Sequence, residues 1–373
     1  MKTKHLLCFL FLSAVYPDEF NEVNIENISS TRVLSIAQDS TGFIWIGTDD
    51  GLNRFDGFQN KVYRSDVFDE ATISGNRIWK IHVDSSNTTW VLTDRGVCYY
   101  DALRDRFGRI DMGSRPQHIQ DKNNTLYVST LNSGVYAINK ETKSFKNYLF
   151  DPLDPFSISS SKFSALQAKP TAINGDDLWV GTTNGLNRLS LKTGQAKRLY
   201  KNKTSYVKSD TITAILFVDD VLYVGTSRGL SLHGGNNNEP AQFGGFESSH
   251  ILNVFLIKET NAVGVVSKNK LGIFEKHSVS KTIKTNAPPH LVHDLGSGQY
   301  LLYSPENKNA IFLSVDIDTD DIYQSNKIEL PIKTTGILAD NEGGAWLVGE
   351  SGTARTSNIE TPSVFTPIPH LKE

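Results

Sequence analysis

Short apolar segments alternate with polar turns along the chain, and one such pattern recurs at regular intervals. Its clearest copy, DSTGFIWIGTDDGLNRFD from Asp39 to Asp56, contains a polar turn, an apolar strand through Trp45, a tight turn at Gly51 and a second strand. From position 45 to position 346 there are seven steps, a mean spacing of 43 residues. The aromatic position of the repeat falls at Trp45, Trp90, Tyr127, Trp179 and Tyr223, near 264 and 301 in two weaker copies, and at Trp346.

This period predicts the fold class. Repeats of roughly 40–50 residues with several short strands are typical of propeller blades, because each small sheet must bury its faces against its neighbours. In the segment from Arg32 to Asp39 the apolar residues nearly fill both faces of the predicted strand, as expected of a strand between two sheets. No helical periodicity stands out. We therefore predict an all-β fold with almost no helix, a β-propeller of four-stranded blades with seven or eight blades.

The number of repeats leaves two domain arrangements open. We expect a secretion signal-like segment at 1–16, seven repeats of the propeller at 17–330 and an eighth repeat at 331–373. The eighth repeat would either close an eight-bladed disc, with 365–371 near the closing strand, or start a second propeller. An unpaired eighth blade would expose sheet edges and apolar faces, which favours eight blades.

The first fifteen residues predict export. Lys2 and Lys4 precede an apolar run from Leu6 to Val15, a pattern that resembles a secretory signal and is too short to span a bilayer. No later stretch reaches transmembrane length. We therefore expect a periplasmic protein that meets a membrane only through its N-terminus or through regions outside this chain.

Charge and residue usage exclude several function classes. The formal net charge is −3 and there is no basic stripe, so we expect no nucleic-acid partner. The cysteines are Cys8 and Cys98, which suggest no disulfide framework. The nine histidines are scattered, and none occurs in an H-E-x-x-H arrangement. We predict no catalytic residue, no cofactor and no metal site.

The most regular residues of the repeat are expected to be structural. The tryptophans of the repeat recur mid-strand, where rings pack one blade on the next, and we favour this role over sugar stacking for Trp45, Trp90, Trp179 and Trp346. The aspartates that begin the copies fall at equivalent turns, where such side chains bond their own backbone; they are Asp39, Asp84, Asp121 and Asp340.

Candidate ligand contacts lie at one end of the predicted blades. The glycine turns between the second and third strands fall at the same end as the crossings between blades, and loops on a rigid scaffold commonly bind ligands. Mixed charges and amides beside these glycines suit a small polar ligand such as an oligosaccharide. The candidates are Asp49, Asp50, Arg77, Trp79, Asp94, Arg95, Asn132, Asn184 and Arg228.

The repeat resembles a known family. From Val33 to Phe55 a strand ending in Gln-Asp is followed by Gly-Phe-Ile-Trp-Ile-Gly-Thr and Asp-Gly-Leu-Asn-Arg-Phe, which is similar to the two-component-regulator propeller repeat over about 20–357. The resemblance implies the periplasmic sensor region of hybrid two-component regulators or of propeller-linked diguanylate cyclases. It also implies further propeller or signalling domains as partners, because this chain contains no phosphoacceptor-histidine box, receiver domain or cyclase signature.

Together these features predict a non-catalytic, extracytoplasmic ligand-sensing propeller, the input module of a bacterial two-component-type signalling protein. One alternative is a carbohydrate-active or quinone-dependent propeller enzyme, which would need titratable groups converging at the channel mouth. A second alternative is a protein–protein interaction platform, which would show an exposed apolar patch.

Overall fold

The chain folds into eight antiparallel β-sheets arranged as the blades of a propeller. The computed structural model describes residues 20–163, 171–201, 207–234, 243–284, 291–304, 308–316, 321–325, 328–356 and 365–367. Within these ranges the sole helical segment is a 3-10 turn at Phe246–Ser248. The prediction of an all-β propeller with almost no helix is therefore confirmed, with eight blades.

The strands of each blade follow one another along the chain, and the innermost strand comes first. A short strand, β1, precedes blade 1 and spans Asn21–Glu22. Blade 1 consists of β2 (Val33–Gln38), β3 (Ile44–Thr48), β4 (Leu52–Phe55) and β5 (Asn60–Tyr63). Blade 2 consists of β6 (Ile78–Val83), β7 (Thr89–Thr93), β8 (Gly96–Asp101) and β9 (Arg106–Asp111). Blade 3 consists of β10 (Pro116–Lys122), β11 (Thr125–Thr130), β12 (Val135–Asn139) and β13 (Phe145–Tyr148). Blade 4 consists of β14 (Thr171–Asn174), β15 (Asp177–Thr182), β16 (Gly185–Ser190) and β17 (Ala196–Leu199).

The second half of the chain repeats this order with small departures. Blade 5 has three strands in its described part, β18 (Ile212–Val218), β19 (Val221–Thr226) and β20 (Gly229–Gly234). Blade 6 consists of β21 (Ile251–Ile257), β22 (Ala262–Ser267), β23 (Lys270–Glu275) and β24 (Ser278–Lys284). Blade 7 consists of β25 (Leu291–Gly296), β26 (Gln299–Tyr303), β27 (Asn309–Val315), β28 (Ile322–Ser325) and the short β29 (Ile328–Glu329) beside β27. Blade 8 contains β30 (Thr334–Ala339), β31 (Ala345–Gly349) and β32 (Gly352–Thr356). The last strand, β33, spans Phe365–Pro367.

The N-terminal strand completes the last blade. Asn21 pairs with Arg355 and Glu22 with Ala354, so β1 is the outer strand of blade 8. The Val23 amide extends this pairing by donating to the Thr353 carbonyl (3.0 Å). The expectation that 365–371 lie near the closing strand is wrong for the described part, because β33 pairs with β28 of blade 7. The outer edge of β32 is already occupied by β1.

Among the described residues the core consists of eight clusters, each shared by two successive blades. One cluster packs Trp45 of blade 1 against Ile78, Ile81 and Phe107 of blade 2. The cluster that contains Trp346 of blade 8 reaches blade 1 and thereby closes the ring. Trp45 and Trp90 are fully buried, and burying a ring of at least ~150 Å² contributes about 4 kcal/mol by area. The four repeat tryptophans therefore pack one blade on the next, as predicted.

Candidate functional site

A threonine at the end of the second strand organises the turn toward the third strand. In blade 1 the Thr48 hydroxyl donates to the Gly51 carbonyl (3.0 Å) and accepts from the Asp50 amide (3.1 Å). Gly51 has φ +142°, and a Cβ there would lie 3.0 Å from the Tyr63 carbonyl oxygen, so this position requires glycine. Four further blades have the same hydroxyl-to-carbonyl bond, with donors Thr93, Thr130, Thr182 and Thr226.

The crossings between blades are fastened to the same turns. Ser29, Ser74 and Ser159 lie on three crossings and bond through their hydroxyls to the turn threonines of the following blades, at 2.7, 2.8 and 3.0 Å. The crossings and the turns between second and third strands therefore share one end of the propeller, which we call the crossing face. The shared location is the one that the sequence predicted.

A buried asparagine on the third strand adds a second fastening. Asn187 is fully buried, accepts from the Ser159 amide (2.7 Å), and donates to the Ser159 hydroxyl (2.9 Å) and the Val180 carbonyl (3.1 Å). Asn53 has the corresponding bonds in blade 1. In blade 2 the position is Cys98, whose sulfur lies 3.1 Å from the Ser74 amide nitrogen. The thiol has a raised pKa because it is buried, which suits a structural role.

Two crossings are each fixed by hydrogen bonds from an arginine on the outer strand of the next blade. Arg109 donates from Nε to the Thr72 carbonyl (2.7 Å) and from its terminal nitrogen to the Asp66, Asp69 and Ile73 carbonyls. Arg198 binds the crossing from Asp151 to Ser159 in the same way. The fixed loops expose Phe68 and Leu153 at 96% and 91% of their surface.

The structure distributes most of the predicted site residues around the crossing face. The turn residues occupy blades 1 to 5, and all but the half-buried Asp49 are exposed; the exposed ones are Asp50, Asp94, Arg95, Asn132, Asn184 and Arg228. Asp50 is already paired with Arg64 (3.1 Å). Among the predicted residues the structure brings Arg77 and Trp79 into contact.

Arg77 and Trp79 form part of a three-residue stack between blades 2 and 3. The Arg77 guanidinium lies 4.2 Å from the centre of the Trp79 ring, and the Arg115 guanidinium also lies 4.2 Å from it. Arg77 and Trp79 belong to blade 2, whereas Arg115 directly precedes β10 of blade 3. We call this stack of Arg77, Trp79 and Arg115 the arginine clamp.

The clamp lies where the innermost strands begin. The pairing of β6 with β7 shifts register between Ile78 and Lys80, so Trp79 occupies a bulge, a device that re-aims a side chain. The Arg77 carbonyl accepts from the Asp94 amide (3.2 Å), and the Arg115 carbonyl accepts from the Leu131 amide (2.9 Å). The two arginines therefore hold the same position in successive blades, at the channel end of the crossing face.

Part of the clamp's hydrogen-bonding capacity is unused. Arg77 Nε, Arg115 Nε and Trp79 Nε1 are buried and have no hydrogen-bond partner among the described residues. Arg32 has the same position in blade 1, shown by its carbonyl accepting from the Asp49 amide (3.3 Å), but its guanidinium pairs with Glu350 (3.1 Å). The clamp is thus a part of the crossing face with unsatisfied cationic donors.

Sequence reasoning did not select Arg115, although a signal for it exists. An arginine directly precedes the first strand in three successive repeats, at Arg32, Arg77 and Arg115. The repeated pattern, as in Asp39 to Asp56, begins after this position. The stack itself depends on contact between two blades, which the sequence of a single repeat does not specify.

The aspartates that begin the repeats are structural, as predicted, with one exception. Asp84 Oδ1 accepts from the Ser86 and Thr88 amides (2.8 and 2.9 Å), and its Oδ2 accepts from Trp90 Nε1 (2.9 Å). Asp39 and Asp340 bond their turns and tryptophans in the same way. Asp121 departs from the prediction by accepting from Lys140 Nζ (3.0 Å), because its repeat has Tyr127 in place of the tryptophan.

A second cluster of titratable groups joins blades 1 and 2 around Asp105. At the turn between β8 and β9, Asp105 accepts from the hydroxyls of Tyr63 (2.6 Å) and Tyr100 (2.7 Å) and from Lys61. Burial raises the pKa of Asp105, but these three donors outweigh it and lower the pKa to about 2.

In blade 7, burial lowers the pKa of His293 to about 4. In the described part of the chain no group of His, Cys, Asp and Glu side chains is arranged to hold a metal ion.

The first repeat matches a known family model. Residues 27–50 match the model of the family described as two component regulator propeller. A curated relative, Histidine kinase P4 from Formosa agariphila, is 45% identical over 49 residues, which are 13% of this chain and 4% of that protein.

Solved structures share the propeller over most of the chain. The extracellular domain of the putative one component system BT4673 from B. thetaiotaomicron has a TM-score of 0.54 and 20% identity, over 94% of this chain and 43% of that one. Virginiamycin B lyase from Staphylococcus aureus has a TM-score of 0.53 and 12% identity, over 91% and 98%. Such low identity shows the fold alone, which supports many functions.

Within the described residues, no helix has the length and hydropathy that a bilayer crossing requires.

Proposed function

We propose that this propeller is a non-catalytic, extracytoplasmic ligand-sensing module, the input region of a bacterial two-component-type signalling protein. The observation that carries the proposal is the match of residues 27–50 to the two-component regulator propeller family, supported by the 45% identity to a histidine kinase. The signal-like segment from Lys2 to Val15 supports export to the periplasm.

The geometry supports sensing at the crossing face. Its loops are fixed to the blades by the serine–threonine bonds and by buried asparagines, so a ligand there would meet a preformed surface. A ligand shifts a signalling equilibrium only through different affinities for two states. We therefore expect the ligand to favour one packing of this rigid disc against the domains that carry the output, and the blades themselves to change little.

Binding and location are tested separately. The purified protein is heated with a panel of neutral and acidic oligosaccharides, and a cognate ligand should raise the Tm in a saturable way. At a ligand concentration of a hundred times Kd, binding should increase the free energy of unfolding by about 3 kcal/mol. A flat response across the panel would contradict sensing of saccharides, and turnover of any of them would contradict the non-catalytic assignment.

For location, an alkaline phosphatase fusion to the full chain should be active outside the cytoplasm. The Phe9→Arg fusion, which interrupts the apolar run, should lose that activity because export signals require an uninterrupted apolar segment. Equal activity of the two fusions would contradict signal-dependent export.

A second candidate, an interaction platform, is favoured by the exposed apolar side chains on the crossings. Phe68 and Leu153 are almost fully exposed on two loops that also expose Val67 and Phe156, and contiguous exposed apolar patches commonly mark interaction sites. This role predicts that Phe68→Ser and Leu153→Ser disrupt association with the signalling domains and leave ligand-induced Tm shifts unchanged. Unchanged association in both variants would reject it.

A further inference from the structure

We propose that the end of the propeller opposite the crossing face rests on a lipid bilayer, with Phe58 and Leu103 inserted at the level of the lipid headgroups. This end, which we call the lower face, carries the turns that follow the first and third strands of each blade, such as those at 39–43 and 56–59 in blade 1. The proposal goes beyond ligand sensing, because it assigns a membrane partner and an orientation and requires no ligand.

Both ends of the described chain lie toward the lower face. The strand β32 runs from its turn at Gly352 on the crossing face toward the lower face, and β1 pairs with it antiparallel. The chain therefore enters blade 8 from the lower face. The strand β33 pairs antiparallel with β28, which runs toward the crossing face, so β33 also leads to the lower face, beside blade 7.

An apolar segment precedes the entry into blade 8. The run from Leu6 to Val15 ends six residues before Asn21, which is at most about 20 Å in an extended chain. Leu12 lies two positions before Ala14, where cleavage signals have a small residue, so the sequence favours retention of the run. The run is shorter than a bilayer-spanning helix, and a single weak anchor binds membranes only marginally, so stable attachment needs a second contact.

The second contact lies on the two blades that follow blade 8 around the ring. Phe58 and Leu103 occupy the turns between the third and fourth strands of blades 1 and 2, and they are 93% and 95% exposed. An aspartate fixes each turn. Asp56 Oδ1 accepts from the Phe58 amide (2.8 Å), and Asp101 Oδ1 accepts from the Leu103 amide (3.2 Å). Two fixed turns therefore present apolar side chains at the same face.

The turns of blades 1 and 2 are joined to each other. Asp105, two residues after Leu103, accepts from Lys61 and from the Tyr63 hydroxyl (2.6 Å). Lys61 and Tyr63 belong to β5, the strand that follows the turn with Phe58. The two exposed side chains therefore belong to one continuous part of the lower face, next to the blade at which the chain enters.

The turn does not itself require an apolar residue. In blade 3 the same turn forms with Asn139 Oδ1 accepting from the Glu141 amide (3.0 Å), and Glu141 is exposed. The corresponding residue of blade 4 is Lys192, which is also exposed. The turns near the apolar run thus carry apolar residues, and the turns farther around the ring carry charges. This distribution favours contact between a bilayer and the lower face of blades 1 and 2.

Charge contributes little to the proposed contact. Arg104 pairs with Asp101 (3.0 Å), and Lys61 pairs with Asp105. Apolar insertion persists at high salt concentration, whereas the attraction of basic side chains to anionic lipids is screened. We therefore expect the protein to remain bound to vesicles when the NaCl concentration is raised.

The orientation is tested with a fluorescent probe on the chain of residues 1–373. A polarity-sensitive NBD group is attached to single cysteines in a Cys8→Ser background, in which the buried Cys98 stays unlabelled. The labelled variants are Phe58→Cys and Leu103→Cys on the lower face and Phe68→Cys and Leu153→Cys on the crossing face. On vesicles of equal parts phosphatidylethanolamine and phosphatidylglycerol, the probes on the lower face should shift their emission to the blue and be quenched by nitroxide-labelled lipids. The probes on the crossing face should keep the emission that they have in water.

Charged variants measure the contribution of each side chain to vesicle binding. Phe58→Glu and Leu103→Glu copy the residue that blade 3 has in this turn, so they should keep the Tm of the wild type. Each should weaken partitioning into the vesicles by about tenfold or more, because it removes a large apolar side chain from the interface. The matched variants Phe68→Glu and Leu153→Glu should leave partitioning unchanged.

Several results would overturn the proposal. They are a blue shift of the probes on the crossing face, no shift of the probes on the lower face, and unchanged partitioning of Phe58→Glu and Leu103→Glu. If partitioning were unchanged in those two variants and abolished by Phe9→Arg, the apolar run alone would be the anchor. Release of the protein by high salt would show electrostatic attachment and contradict apolar insertion. Because no ligand enters these measurements, failure of the proposal would leave the sensing function standing.

Discussion

The buried Asn187 holds the preceding crossing by hydrogen bonds, so Asn187→Ala should lower the stability of the fold by an amount that can be worked out from those bonds. The side chain forms three hydrogen bonds, two with Ser159 of the crossing and one with the Val180 carbonyl, and it is fully buried. Truncation removes all three and leaves the buried Ser159 amide without its acceptor. Net contributions of about 1 kcal/mol per bond give a loss of about 3 kcal/mol.

The expected change is measurable as a shift in Tm. Unfolding entropy of about 2.1 cal/mol/K per residue gives roughly 0.7 kcal/mol/K for a propeller of about 350 residues, so 3 kcal/mol lowers the Tm by about 4 °C. The assay is differential scanning calorimetry at one scan rate. Asn187→Cys, which copies the residue at this position in blade 2, should fall between the wild type and the alanine variant, because Cys98 bonds Ser74 through a weaker sulfur acceptor.

A matched control exists in blade 5. Ser231 has the same position in its repeat and is buried, but its hydroxyl has no hydrogen-bond partner among the described residues. Ser231→Ala should therefore leave the Tm unchanged or raise it slightly, because it removes an unsatisfied polar group. Equal losses for Asn187→Ala and Ser231→Ala would refute the reasoning, since the effect would then come from truncation at this position and not from the bonds to the crossing.

Three further predictions concern packing between blades and pH. Asp84→Asn should lower the free energy of unfolding, measured with urea, by about 2 kcal/mol. Both carboxylate oxygens accept hydrogen bonds, so either orientation of the amide would direct its N–H groups at another donor, Trp90 Nε1 or the turn amides. Gly225→Ala should lower the Tm and reduce the free energy of unfolding by about 1–3 kcal/mol, because the new Cβ would lie 2.7 Å from Ile251 Cγ2 of blade 6. An unchanged Tm would show that the packing between the blades tolerates the methyl group. His293 has a pKa of about 4 in the fold against 6.5 in the unfolded chain, so the unfolded state takes up the proton first and stability falls as pH decreases from about 6.5 to 4. His293→Gln should flatten this part of a Tm-against-pH profile, and an unchanged slope would contradict a histidine that partial burial keeps neutral.

The repeat itself was accessible from sequence because its signals are local. The order of turn, strand, turn and strand in each copy lies within about 20 residues, and each aspartate–tryptophan pair forms within one hairpin, as in Asp39 and Trp45. The weak copies near 264 and 301 still form full blades, because their apolar residues pack against neighbouring blades on both sides.

The tertiary structure decided what depends on contact between blades. Pairing of Asn21 with Arg355 joins the two ends of the propeller, and no local pattern specifies which strand completes the eighth sheet. The arginine clamp likewise needs Arg115 of one blade beside Trp79 of another. The sequence by itself determined the blades and the end at which their loops gather, since hairpins form from neighbouring residues. Closure of the ring and the placement of uncommitted charges were decided by the fold, because both require residues that are distant in sequence to meet.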